Sequence, residues 1–479
     1  MPNRPFGRDQ AWLLPPSLAD LVPADHPARF VAEFIDGLDG TWWQTFGEDL
    51  EGEALGAPAY DPRPLLSIWV YGFMTGVRSS RKLEVACREQ LPYLWLTGMQ
   101  TPDHNTLWRF YQEHRPQMRE LFRQTVRTAV KTGLLLLAIQ AVDGTKVGGN
   151  AARERSHDAA GLERLLEKTE AAIADLESQN AADQPVPARL PRELAQAEKL
   201  RERVRKAIAE VSREGGPKRV NLTDADASLM KTRQGGFVPG YNAQAVAALI
   251  EDAEGGVKGR IITAAEVVAA ATDYGQMLPL RDQAVETTGE HAAVLVADAG
   301  YHSGPNLAGL AERHQTVVMP ESQDRRRQSP YHKDAFRRDT ESDSYLCPKG
   351  QRLSFLKEVK RRGRAGIRVY GGIAPVCRVC PAFGVCTKDR RHGRNLEIGP
   401  EDEVLRAHRR WMDSEEAHAI YRWRNWLVEP VFGIIKDQQG ARRFLLRGLA
   451  NVCGEWLLVA SAFNLRSLWR IWAQARSLT

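Results

Sequence analysis

The chain opens polar and Pro-rich, and its first recurring hydrophobic positions have helical spacing: Leu18–Leu21, then Phe30, Phe34 and Leu38. Asp61-Pro62-Arg63-Pro64 reads as a helix entry, with Pro at an early helical position. Helices are expected over Leu65–Gly76 and Ser80–Leu91. Thr101-Pro102-Asp103-His104 then turns the chain into a third, with Asn105 or Thr106 as its cap. At Leu134 the pattern changes. Leu134–Val142 is a nearly continuous apolar run, broken by Gln140 and closed by Asp143-Gly144-Thr145. That is the pattern of a buried strand carrying an acid to its C-terminal edge. From Ala159 to Val211 helical spacing returns on Leu162, Leu165, Leu166, Ala172 and Leu176, and again on Leu194, Ala197, Leu200 and Val204. A polar, Pro-containing break at Asn180–Pro187 makes these an antiparallel helical hairpin inserted after the strand.

Strand patterns resume at Phe237–Ile250 and Gly259–Ala265, followed by a helix at Tyr274–Val285. Ala292–Ala297 is a short apolar strand ending in Asp298-Ala299-Gly300-Tyr301; Pro305–Arg313 is helical and Thr316–Met319 a last short strand. Strands interleaved with helices predict an α/β core. Residues 320–415 break the rhythm, being basic, Gly-containing and home to four of the six cysteines. A long helix is expected over roughly Ser414–Gln438 and a C-terminal one over roughly Gly454–Arg476. The organisation is therefore an all-α domain at 1–130 and an α/β core in two parts, 131–319 and 416–479. Two insertions interrupt that core, a helical hairpin at 159–211 and a basic Cys-rich segment at 320–415.

At 479 residues, two to four structural units are expected. Hydrophobic content of 43% and charged content of 26% are those of an ordinary soluble protein. A net charge of +6 leans mildly towards a polyanionic partner. Local clustering says more. Between Arg352 and Arg394 twelve Lys or Arg face two acids, Glu358 and Asp389. Phosphate-backbone contact is the natural use of such a segment, and a solvated charge run is the plain alternative. Arg325–Arg327 and Arg337–Arg338 extend the same surface. The N-terminal helices, with Arg78, Arg81, Lys82, Arg88 and Arg109, fit a helix-turn-helix-like DNA-binding unit as well as a plain helical bundle. The hairpin at 159–211 mixes both charge signs, which favours protein contact over DNA. No apolar leader follows Met1, and stretches such as Leu457–Phe463 are too short to span a membrane, so a cytoplasmic location without membrane contact is expected.

Six cysteines are too few for a disulfide scaffold in a chain of this length. Cys347-Pro348-x-Gly350 and Cys377-x2-Cys380-x5-Cys386 place four thiols in one segment, where they could form a tetrahedral structural Zn²⁺ site or remain scattered reduced thiols. Zinc would stabilise a segment with too little apolar surface to fold alone. Cys87 and Cys453 lie in apolar helical surroundings and read as core residues.

Acids at the ends of two core strands, with a third on a later helix, are what two-metal phosphoryl chemistry needs. Asp143 and Asp298 can converge at one edge of the sheet, and a helical carboxylate completes an oxygen cage for two Mg²⁺ or Mn²⁺ ions. Alone, a strand-end Asp is as readily a turn former or helix cap. The run from Tyr421 to Lys436 carries more. Glu429 and Lys436 lie nearly two turns apart on one helical face, preceded by Tyr421, Arg422 and Arg424, which are suited to phosphates. A Pro directly after Glu429 costs the helix stability.

These motifs resemble the DDE transposases of bacterial insertion sequences whose last acid sits in a Tyr-x2-Arg…Glu-x6-Lys signature. Tyr421, Arg424, Glu429 and Lys436 match it, with four residues rather than the commonest three between Arg and Glu. Asp143-Gly144-Thr145-Lys146 resembles the family's first-acid motif and Val296–Tyr301 its second. Val238–Gln244 resembles the strand between them, and Pro102–Thr106 a motif of the N-terminal helical domain. The resemblance implies an RNase H-like core with Asp143, Asp298 and Glu429 as catalytic metal ligands, and Tyr421, Arg424 and Lys436 on DNA phosphates. It implies hydrolysis at the element's terminal inverted repeats, then attack of the freed 3′-hydroxyl on target DNA, by a homodimer in a synaptic complex on the nucleoid. A catalytically inactive or regulatory DNA-binding protein of the same fold is the alternative.

Overall fold

In the computed structural model the described residues are 17–46, 59–181, 190–232, 235–252, 254–322, 329–361, 364–389 and 391–477. Arg325–Arg327 and most of the break at Asn180–Pro187 lie outside them.

The N-terminal third is helical: α1 (Leu18–Leu21), α2 (Pro27–Asp36), α3 (Gly40–Gln44), α4 (Pro62–Thr75), α5 (Ser80–Glu89), α6 (Leu91–Thr97), α7 (His104–His114) and α8 (Gln117–Lys131). Asp61 caps α4 by accepting from the Arg63 N–H, and Pro62 takes the first helical position as expected. Helix α7 starts earlier than its pattern suggests. Its cap is Asp103, whose Oδ1 accepts the Thr106 N–H at 2.7 Å, so Asn105 and Thr106 are inside the helix. Leu65 to Met74 of α4 are all buried, which makes it the axis of the bundle.

The chain then enters β1 (Leu135–Gly148), crosses β2 (Ser156–His157), and makes the hairpin α9 (Ala159–Ala181) and α10 (Leu190–Ser212). Strand β3 (Val220–Asn221) pairs with β2 and closes the hairpin's base over Leu162, Val204 and Val220. Next come β4 (Ser228–Lys231), β5 (Phe237–Glu251), β6 (Val257–Val268), α11 (Met277–Thr288), β7 (Val294–Ala297), α12 (Gly304–Glu312) and β8 (Thr316–Val318). One mixed sheet results, running β6-β5-β1-β7-β8, with β4 also on β5. Strand β5 is antiparallel to β1, whereas β7 and β8 run parallel to it. Strand β1 does not end at its acid: it pairs with β5 as far as Gly148, so Asp143 is interior to the strand.

Residues 320–415 are not short of apolar surface. They form an antiparallel sheet, β9 (Arg337–Asp339), β10 (Ser344–Leu346), β11 (Arg352–Arg361), β12 (Arg364–Gly371) and β13 (Asn395–Ile398), with α13 (Ala374–Val379) between the last two. Phe336, Tyr345, Leu353, Tyr370, Leu396 and Ile398 give this sheet its own core. Helix α14 (Asp402–Met412) follows, and the long helix expected over Ser414–Gln438 is two pieces, α15 (Glu415–Tyr421) and α16 (Trp423–Asp437), divided at Arg422. Helix α16 runs through Pro430. The chain ends in α17 (Leu449–Ser477).

Alternation along the strands sorts the packing. Ala141, Ala243, Ala245 and Tyr241 face one way, into a core shared with the N-terminal helices, α16 and α17. Val142, Val246, Leu295 and Ala297 face the other, against α11 and α12. The N-terminal helices therefore share a core with the sheet. Asn464 of α17 fixes the join. A register shift leaves Thr263 of β6 as an extra residue, and the Asn464 amide satisfies both the N–H and the C=O of Ile262, at 2.8 and 2.9 Å. A buried Arg78–Glu455 ion pair ties the loop after α4 to α17. Arg78 also donates to the Gly440 and Arg443 carbonyls, and Glu455 accepts from the N–H groups of Leu445 and Leu446.

Candidate active site

The parallel pairing of β1 with β7 ends at Val142 opposite Ala297. The next residue on each strand is an acid, so Asp143 and Asp298 emerge side by side although they are far apart in sequence. Each accepts a nearby backbone N–H at 2.8 Å, Asp143 from Gly144 and Asp298 from Gly300. Arg424, from the first turn of α16, lies across them. Its Nη2 is 2.9 Å from Asp143 Oδ2 and 3.8 Å from Asp298 Oδ2. The Asp143 side chain is only 15% exposed. Burial, reinforced by the charges of Asp298 and Asp273, pushes its carboxyl up from 3.8 to about 6, against the pull of Arg424 and the Gly144 N–H.

Asp273 is an acid that the hydrophobic pattern does not single out. It sits in the loop between β6 and α11, and its Oδ1 accepts from Asn242 Nδ2 and Gln244 Nε2, both at 2.7 Å. Tyr301, three residues past Asp298, donates in turn to Gln244 Oε1. The available signal was on β5. Asn242 and Gln244 are fully buried amides two apart, hence on one face of an otherwise apolar strand, and such groups need partners. Gly144 makes room for this network: a Cβ there would lie 2.8 Å from Asp273 Oδ1 and closer still to Gln244 Nε2.

Alternation along β1 thus sends Asp143 and Thr145 towards α16 and Gly144 towards Asp273. Lys436, near the end of α16, donates to Thr145 Oγ1, so Arg424 and Lys436 fasten both ends of that helix to β1. Glu429 lies between them in sequence. Its side chain is exposed and, among the described residues, has no hydrogen bond or ion pair, so the structure does not gather it with the two aspartates. Tyr421 is half-buried at the end of α15, with its hydroxyl pKa raised by burial and by Asp298 and Asp143, while Arg422 is exposed at the α15–α16 break. Arg260 donates to the Trp426 carbonyl at 2.6 Å and stacks over its ring. Among the described residues no three potential ligands are close enough to enclose an ion. The donors at the sheet edge are nevertheless all oxygen, the chemistry that suits Mg²⁺ or Mn²⁺.

The four cysteines share one neighbourhood without being close enough to enclose an ion as they stand. Cys347, Cys377, Cys380 and Cys386, all reduced, line one cavity of about 130 Å³. Cys347 Sγ accepts the N–H groups of Lys349 and Gln351, both at 3.3 Å, in a turn that Gly350 completes at φ +77°. Cys87 is buried in the main core, and Cys453 packs against it.

Residues 346–469 match the model of a transposase DDE domain, and residues 16–113 match that of a second transposase domain. The two matches support an insertion-sequence DDE transposase. The first includes the cysteines and α16, and the second covers helices α1 to α6 and most of α7. Strands β1 and β7, with Asp143 and Asp298, lie outside both. No curated protein matches the chain significantly. The transposase domains support a role in DNA transposition, and a DDE domain implies an enzyme of the polynucleotidyl-transferase type. No described helix is long and apolar enough to cross a membrane.

Proposed function

We propose that this chain cuts DNA at the ends of an insertion sequence and transfers the freed 3′ strand into target DNA. The observation that carries the proposal is the β1–β7 register, which sets Asp143 beside Asp298. The strand order, with β5 antiparallel beside a central β1, supports an RNase H-like reading of the core. Asp143 and Asp298 would hold Mg²⁺ or Mn²⁺, with Glu429 supplied by α16. Two such ions supply activation of water or the 3′-hydroxyl and stabilisation of the leaving oxygen. Arg424 neutralises the two aspartates and keeps them together. Lys436 pins α16 through Thr145, and Tyr421, Arg422, Arg424 and Lys436 form the edge offered to DNA phosphates.

The N-terminal helices and the basic β-sheet module are proposed as further contacts to double-stranded DNA. Cys347, Cys377, Cys380 and Cys386 would hold a structural zinc ion, supported by the shared cavity and by the two N–H groups on Cys347 Sγ. The family resemblance extends the proposal to a homodimer pairing two element ends.

Nicking of DNA that carries the element's terminal inverted repeats tests the reading. The wild type should cleave with Mg²⁺ or Mn²⁺, and Asp143→Asn, Asp298→Asn and Glu429→Gln should not. Retained cleavage in those variants overturns the site. Binding without cleavage by the wild type would make the chain a regulatory DNA-binding protein of the same fold.

A further inference from the structure

We infer that Asp273, with the buried carbonyl oxygen of Asn242, makes a second cation-binding flank on Asp298, opposite the one formed by Asp143. The inference rests on the proposed metal-dependent reading of the site. Asp298 is the shared member. Its Oδ2 faces the Arg424 and Asp143 side, 3.8 Å from Arg424 Nη2. Its Oδ1 faces Gly300, where a Cβ would lie 2.9 Å from Asp298 Oδ1 and 3.1 Å from Asp273 Oδ2. One small gap, kept open by a glycine, therefore separates the two carboxylates.

The two oxygens of Asp273 are used differently. Oδ1 is saturated by the Asn242 and Gln244 amides, which orient the carboxylate, and Oδ2 is turned towards Asp298. A loop anchor needs only the first. The second observation is independent of the acids: Asn242 is fully buried, its Nδ2 lies on Asp273, and its Oδ1 has no partner among the described residues. A buried amide oxygen without a donor is costly, and on the residue whose Nδ2 contacts Asp273 it is a neutral hard-oxygen ligand of the kind that divalent cations take.

Mn²⁺ titration of the full-length protein, followed by the electron paramagnetic resonance of the free ion, tests this without DNA or turnover. Asp273→Asn keeps the size of the side chain and its acceptor for the two amides. It should retain the wild-type melting temperature yet weaken Mn²⁺ binding about tenfold or more. Fe²⁺-mediated peroxide cleavage of the backbone should cut near residue 273 as well as near 143 and 298. Loss of Mn²⁺ binding in Asp143→Asn alone, with Asp273→Asn at wild-type affinity, overturns the role of Asp273 and leaves the proposed site standing. Equal affinity in the wild type and both variants overturns both readings.

Discussion

Replacing Gly144 by Ala adds one methyl group at the point where β1, β5 and the Asp273 loop meet. Gly144 has no positive φ, so an alanine backbone fits and the whole effect is steric. The new Cβ would lie 2.8 Å from Asp273 Oδ1 and 2.9 Å from Gln244 Cδ, well inside van der Waals contact. Gln244 is the direct cross-strand partner of Gly144 and cannot swing away without releasing Asp273, held at 2.7 Å, and the Tyr301 hydroxyl. Overpacking of this kind costs about 1–3 kcal/mol. Losing a hydrogen bond to a carboxylate adds about 1.5–3 kcal/mol. The combined loss is on the order of 3–5 kcal/mol, read as a melting temperature lower by several degrees together with weaker Mn²⁺ binding. Gly433→Ala is the control. Gly433 is exposed within α16 and nothing lies within 4 Å of its Cβ position, so alanine should stabilise by about 0.5–1 kcal/mol. An unchanged melting temperature and unchanged Mn²⁺ affinity in Gly144→Ala would refute the account of this contact.

Arg78→Ala should destabilise by about 3–5 kcal/mol in thermal or denaturant unfolding, because it strands the Glu455 carboxylate, which is 1% exposed; a loss below about 1 kcal/mol would mean that the pair behaves as a surface one. Asp143 makes metal-free stability depend on pH. Its folded-state pKa of about 6 exceeds the ordinary 3.8, so the folded state binds the proton more tightly and loses stability as pH rises from about 4 through 6. The loss is on the order of 3 kcal/mol, and Asp143→Asn, or saturating Mn²⁺, should flatten that limb of a melting-temperature profile. Protein purified without chelator should carry stoichiometric zinc, lost in Cys377→Ser; a metal-free but fully folded wild type, measured by mass spectrometry and circular dichroism, would end the zinc proposal.

The sheet was legible because its strands obey simple rules. The three residues directly before each of Asp143 and Asp298 are buried, on both faces of the sheet, and the parallel register of the two runs follows once they are neighbours. The hairpin α9–α10 was legible from helical spacing alone. Strands β9 to β13 were hidden because their outward positions carry Arg and Lys so densely that the inward Tyr345, Leu353 and Tyr370 do not stand out as an alternating pattern. The break at Arg422 was hidden because hydrophobic spacing continues across it, and Ser414 and Lys436 look like the two ends of one helix. Asp273 escaped for a different reason. A loop acid acquires meaning only from its partners, and those partners are on β5, where Asn242 and Gln244 read as isolated polar residues. Where Glu429 falls relative to the aspartates cannot be read from spacing, since it depends on how α16 lies over β1.

The shared core and the late position of α16 set an order on how the molecule can be made. Asp143 is synthesised in the first third of the chain and Asp298 well before its end, but Arg424 arrives after the cysteine module, and Trp456, Glu455 and Asn464 of α17 later still. Until α17 has left the ribosome, the face of the sheet that it covers is bare, and the loop ending α16 has no Glu455 to hold it. The pair of acids is therefore formed early but framed last. A nascent chain that lacks α17 carries the paired carboxylates without the helices that frame them, so its working edge comes into being only once α17 has been made.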